Sequence, residues 1–135
     1  MTALQGAGIA MAGSNADIIV TGNDLCGNNA AAISGSPTGN TVIANNTCLD
    51  TQASTVASGT SMTLPNTLTS QYIITGTTNT STIVGNWNGR TIKLYSVDGT
   101  VNYVTGGNIC AAKAVAIGTI GTATFVPGAD CWSFN

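Results

Sequence analysis

The side chains of this chain that could carry chemistry are few. They are Asp17, Asp24, Asp50, Asp98 and Asp130, the thiols of Cys26, Cys48, Cys110 and Cys131, and the amphipathic aromatics Trp87, Tyr95, Tyr103 and Trp132; there is no His and no Glu. Cleaving a glycosidic chain takes a pair of carboxylates, one as acid and one as base or nucleophile. Asp17 and Asp24 flank one apolar run, seven residues apart. Side chains alternate along a strand, so an odd separation sends the two carboxyl groups to opposite faces. Asp98 and Asp130 sit in turn contexts, where Asp bonds its own backbone. Without His, Ser-His and Cys-His nucleophiles are excluded. The expectation is that no residue here is catalytic.

The cysteines contain no C-x-x-C pair and have no His to complete a metal site, so neither metal nor other cofactor is expected. Two disulfides are arithmetically available, but the preferred reading is four small buried apolar residues kept reduced. Exposed aromatic faces stack on sugar rings, whereas buried ones fill a core or a subunit interface. Tyr95 and Trp132 lie within strand-like runs and are assigned to a core or a subunit interface. Trp87, between two Asn and before a Gly, lies in a turn, and with Tyr103 it forms the candidate carbohydrate contact.

These residues must be placed by an unusual chain of 135 residues. It is 43% apolar and 6% charged, with 17 Gly and a net charge of −2. Its mean hydropathy is +0.27. Disordered chains are charged and poor in apolar residues, so this one is expected to fold. An ordinary soluble monomer carries about a quarter charged residues, and so little charge points to surface buried between copies. Arg90, Lys93 and Lys113 form no run, which argues against nucleic acid. No stretch approaches the roughly 20 apolar residues of a membrane span, and Met1-Thr2-Ala3-Leu4 lacks the basic region of a secretion signal.

The first fifty residues repeat themselves. Ile9-Ala10-Met11 followed by Ile18-Ile19-Val20-Thr21-Gly22-Asn23 is echoed by Ile33-Ser34-Gly35 followed by Val42-Ile43-Ala44-Asn45-Asn46. A period in the low twenties, with apolar runs punctuated by Gly and Asn, is the pattern of a right-handed parallel β-helix. Asn23 would stack on Asn46 as an amide ladder, and Cys26 and Cys48 would lie near each other on neighbouring coils without being bonded. Two coils do not cap themselves, so further coils are expected upstream.

Residues 51–60 lack apolar periodicity and read as a linker. From 61 to 135, short β-branched runs separated by turn signals occur at sandwich-like spacing. Asp98-Gly99 reads as a type I′ hairpin, and Asn88-Gly89 and Pro127-Gly128 as turns. Gln71-Tyr72-Ile73-Ile74-Thr75-Gly76-Thr77, Trp87-Asn88-Gly89-Arg90-Thr91-Ile92-Lys93-Leu94, Gly106-Gly107-Asn108-Ile109 and the terminal Asp130-Cys131-Trp132 resemble the C-terminal domains of phage tail spikes and fibres, which follow a pectate-lyase-like β-helix.

The reading is thus all-β. Terminal β-helix coils over 1–50 precede a linker over 51–60 and a small antiparallel β-sandwich over 61–135. The resemblance implies a homotrimer in a virion tail, assembled in the host cytoplasm and attached to bacterial surface polysaccharide, with the C-terminal part capping the coils and driving trimer assembly. Two competitors are a fragment keeping part of a polysaccharide depolymerase site and an ice-binding solenoid. The second is suggested by the run from Thr75 to Thr82, which occurs once where a flat repeated array is needed.

Overall fold

The computed structural model describes residues 7–27, 31–49, 53–65 and 68–135. Its runs of Ile, Val and Thr form short strands. The chain turns between them where residues take left-handed backbone, including Asp17 (φ 56°) and Asn45 (φ 54°), short polar side chains that tolerate that region. No helix occurs among the described residues, and none is long and apolar enough to cross a membrane.

The N-terminal repeat is two stacked rungs. Strands β1 (Ala7–Ala16) and β2 (Ile19–Thr21) lie parallel on β3 (Ala31–Thr38) and β4 (Val42–Ala44). Ile9 pairs with Ile33 and Ile19 with Val42, the register that the repeat requires. The Asn23–Asn46 ladder forms: the Asn23 amide nitrogen and its backbone N–H both donate to Asn46 Oδ1 at 3.0 Å. Cys26 and Cys48 are close, as expected, but they are bonded, as are Cys110 and Cys131. The reduced-thiol reading is therefore corrected. Stacking puts residues about one period apart side by side, and at that spacing adjacent Cys on neighbouring rungs reach bridging distance.

The stacking does not stop at residue 50. Strands β5 (Ser54–Ala57), β7 (Gln71–Thr75) and β9 (Thr91–Ser96) run parallel in one sheet, and β6 (Ser61–Thr63) lies parallel to β8 (Thr82–Val84). Thr80 bridges to Tyr103 in the next strand, β10 (Val101–Tyr103). The stretch expected as a linker thus carries β5, and the antiparallel sandwich expected over 61–135 gives way to further β-solenoid-like rungs. Short strands with turns between them are common to both architectures. What separates them is which strands pair, a non-local fact that alternation does not encode. Asp98-Gly99 is corrected for the same reason. β9 and β10 do not pair with each other, so the dipeptide makes a corner between sheets rather than a hairpin.

Antiparallel pairing enters at the end of the stack. β11 (Lys113–Val115) pairs with β10, β12 (Ile120–Val126) lies antiparallel on β9, and β13 (Cys131–Phe134) lies antiparallel on β12. The Pro127-Gly128 turn joins β12 to β13 as expected, with Gly128 at φ 77°. This reversal closes the sheet in the order β13-β12-β9-β7-β5.

Two cores result. The larger runs from Val56 and Met62 through Ile74, Ile83, Ile92 and Leu94 to Phe125 and Trp132. The smaller holds Val20, Leu25 and Ile33 of the first two rungs together with Leu68 and Trp87 from the later ones. Leu68 N–H donates to Ile33 O at 2.8 Å and Asn88 N–H to Gly39 O at 3.0 Å, which seats the second rung on segments flanking β7 and β9.

Candidate functional site

The carboxylates considered for catalysis tie corners of neighbouring rungs. Asp17 Oδ1 accepts from the Asn40 N–H at 2.9 Å. Asp24 Oδ1 accepts from the Cys26 N–H at 3.1 Å and from Thr47 Oγ1 at 2.9 Å, bonds that hold its pKa below the ordinary value. Asp98 Oδ2 accepts from Gly76 N–H at 2.7 Å. Asp130 lies in the β12–β13 turn with φ 50°, and Asp50 falls outside the described residues. The bonds to Asn40, Thr47 and Gly76 link positions 22 or 23 residues apart that the stacking brings together, and the Cys26 bond is a local turn contact.

The two carbohydrate candidates are not brought together. Tyr103 is 1% exposed, its ring 4.5 Å from that of Phe134. Its hydroxyl is buried without a partner, and burial pushes its pKa up. A face so covered has nothing to offer a sugar ring. Trp87 lies at the seam between the two cores, 8% exposed. The turn expected at Asn88-Gly89 forms, closed by Arg90 N–H donating to Trp87 O at 3.0 Å with Gly89 at φ 78°. That turn folds the Arg90 guanidinium over the indole, 4.1 Å from the ring centroid. Of the two residues assigned to a core or a subunit interface, Trp132 is fully buried in the core, while Tyr95 stands exposed on the outer face of β9.

Arg90 is the residue that the sequence reading passed over. It is 4% exposed. Its Nη1 donates to Gly85 O, and its Nη2 donates to the Tyr72 hydroxyl at 2.6 Å. Gly85 adopts φ 102°, and a Cβ there would lie 3.2 Å from Leu64 Cβ and 3.3 Å from Arg90 Nη1, so the guanidinium and its carbonyl acceptor depend on that glycine. Burial pulls the guanidinium pKa below its ordinary value, with Tyr72 acting in the opposite direction. Two seam cavities, of about 450 and 360 Å³, share Leu68, Trp87 and Arg90 in their walls.

Comparison with protein-family models, curated proteins and solved structures finds no match. The geometry must carry the functional reading by itself. The signal for Arg90 was present in Trp87-Asn88-Gly89-Arg90: a cation three residues after an aromatic, across a tight turn, returns over the ring.

Proposed function

We propose that this chain is the terminal, closing part of a β-solenoid fibre protein of the phage tail-spike type. In this reading it caps the stack, holds three copies together and contributes to host-surface glycan contact. A stack of parallel rungs leaves an open sheet edge and an apolar end, which invite further pairing unless covered. Here the antiparallel strands β12 and β13 cover that end, with Trp132 seated beneath them.

The observation that carries the assembly reading is a row on the outer face of the five-stranded sheet. Ile73 pairs with Tyr95 and Tyr95 with Ile120, so three large side chains stand in line across the strands. Tyr95 is exposed, and Ile120 is 59% exposed with Ile117 close to it in sequence. Contiguous exposed apolar surface on a chain with so little charge favours a subunit contact. Sedimentation velocity at micromolar concentration is expected to give a particle of three chains, and Ile120→Lys is expected to return it to monomer with its fold intact. A wild-type monomer overturns the assembly reading.

The two disulfides bear on where such a fibre works. Bridges persist in oxidising surroundings and are reduced in cytosol. A tail assembled in host cytoplasm would therefore carry four thiols until release, and thiol titration of intracellular against released protein tests this. Equal bridging in both pools would remove cytoplasmic assembly from the reading.

A further inference from the structure

Among the described residues, three metal-ligating side chains converge at one place, the corner that joins the first two rungs. A carboxylate oxygen of Asp24 and the sulfurs of Cys26 and Cys48 all lie within 4.8 Å of one another, with Asp24 and Cys26 exposed and Cys48 half-buried. The two cysteines are bridged, yet other bonds beside them tie the same two rungs. Leu25 N–H donates to Thr47 O at 3.2 Å and Thr47 N–H to Asn23 O at 2.9 Å. The Thr47 hydroxyl donates to Asp24 Oδ1 at 2.9 Å, and the Asn23–Asn46 ladder immediately precedes both residues. Opening the S–S bond therefore leaves the two thiols and the carboxylate held side by side. Lack of a C-x-x-C pair and of His argued against a metal from spacing along the chain, but stacking brings together ligands that such spacing does not.

We infer that Asp24, Cys26 and Cys48 bind a zinc ion when the bridge between the cysteines is reduced. Two thiolates and a carboxylate are a zinc donor set, with the fourth tetrahedral position left to water. At tetrahedral angles such ligand atoms stand about 3.6–3.8 Å apart, a spacing that side-chain rotation reaches from the present one. A thiol reductant supplies the two electrons and two protons that open the S–S bond and is itself left as a disulfide. Zinc then displaces both thiol protons. In oxidising surroundings a disulfide oxidant takes the two electrons back, the S–S bond re-forms and the ion leaves. The corner is thus closed by metal in a reducing compartment and by sulfur outside it. The second pair lacks a third ligand: Asp130 precedes Cys131, but no carboxylate joins Cys110 and Cys131 in such a cluster among the described residues. Zinc gives the thiol form of the cytoplasmic-assembly reading a ligand, and its binding in vitro does not depend on whether a fibre forms.

The whole chain, reduced with a phosphine in the absence of oxygen, is titrated with cobalt(II), whose thiolate charge-transfer band reports sulfur ligation. One cobalt per chain is expected in the reduced protein and none in the oxidised protein, and zinc is expected to displace it. The double variant Cys110→Ser/Cys131→Ser is expected to keep the band, and Cys26→Ser/Cys48→Ser to lose it. Asp24→Asn is expected to weaken binding about tenfold or more with its circular dichroism unchanged. A reduced wild type without the band overturns the inference, as does a band that survives in Cys26→Ser/Cys48→Ser. Circular dichroism of the reduced, metal-loaded chain is recorded alongside, and loss of its strand signal overturns a site that depends on stacked rungs. Unchanged affinity in Asp24→Asn removes the carboxylate and with it the three-ligand site. Cobalt that zinc does not displace overturns zinc as the ion.

Discussion

The first two rungs and the later, capped rungs stack their strands in the same parallel manner but are held together differently. In the later part, Trp132, Tyr72, Ile74, Ile83, Ile92 and Leu94 are all essentially inaccessible and belong to one continuous core. The first two rungs bury Val20, Leu25 and Ile33, borrow Leu68 and Trp87 from the later part, and leave Ile19 72% exposed. Their corner compensates with polar and covalent ties: the Asn23–Asn46 ladder, the Asp24–Thr47 bond and the Cys26–Cys48 bridge fall within a few residues of one another. A solenoid can therefore be stabilised through its inside or along its corner, and the two parts of this chain divide the methods between them. Replacements should then separate by region and by kind.

The largest contrast is expected in the apolar core. Trp132→Ala removes a ring packed at 5.4 Å against Phe125 and the indole donor to Ile83 O at 3.2 Å. A loss of about 3–5 kcal/mol is expected from urea unfolding, the usual range for deleting a buried aromatic. Leu25→Ala, in the thinner core, should fall near the bottom of the roughly 2–5 kcal/mol range for Leu, because its surroundings are already half open. Equal losses would mean that the two cores unfold as one and that the contrast drawn above is false.

Next in size are the bridges. Cys26–Cys48 and Cys110–Cys131 close loops of similar length, with separations of 22 and 21 residues. Chain entropy alone assigns each about 3 kcal/mol. Paired Cys→Ser replacements should thus cost similar amounts globally yet act in different places. Hydrogen exchange is expected to lose protection over β2 and β4 for the first pair and over β13 for the second. Loss of protection throughout the chain from the first pair alone would make the N-terminal corner the support of the whole stack.

The same contrast explains what was legible in the sequence. The first two rungs were readable because they copy each other: Ile9 and Ile33, Asn23 and Asn46 announce their pairing by repeating residue types. The later rungs repeat geometry without repeating residues. Nothing in Tyr72 or Leu94 says that they are partners, so spacing suggested a sandwich where a solenoid continues. Asp98-Gly99 carried a real turn signal, but what turns there is a corner, since the hairpin meaning depends on which strands lie alongside. The sequence singled out Trp87 and Tyr103 together and both are buried, because whether an aromatic faces core or solvent is decided by packing, which neither a turn context nor strand alternation encodes. Arg90 was read as an isolated base because its burial arises from two segments meeting at the seam.

A smaller effect sharpens the comparison of polar ties. Asn108 acts as a piece of strand: its Oδ1 accepts from Ile83 N–H and its Nδ2 donates to Ile83 O, both at 2.8 Å. Asn108→Ala leaves a buried backbone N–H without that acceptor and is expected to cost about 1–3 kcal/mol. Asn23→Ala, at a half-buried corner where water can substitute, should cost about 1 kcal/mol or less. Melting temperatures of the two variants decide this order, and a reversed order would place the corner ladder above the inner amide in importance.

The smallest expected effect is a pH dependence confined to one corner. Asp24 is exposed, yet the Cys26 N–H, and after it the Thr47 hydroxyl, hold its pKa below the reference value of 3.8. A carboxyl group whose pKa is lower in the folded than in the unfolded chain binds fewer protons when folded, so it adds stability above the unfolded value. That contribution fades as pH falls from about 3.8 through the lower folded value, because the protonated acid no longer accepts both bonds as an anion. Amide exchange at Cys26 and along β4 is therefore expected to quicken over that acid window, with residues of the capped stack less affected. Asp24→Asn keeps an acceptor oxygen at the same place and should remove the pH dependence while retaining most of the protection. If the variant still loses protection over the same window, the pairing of Asp24 with Thr47 is not what holds the corner.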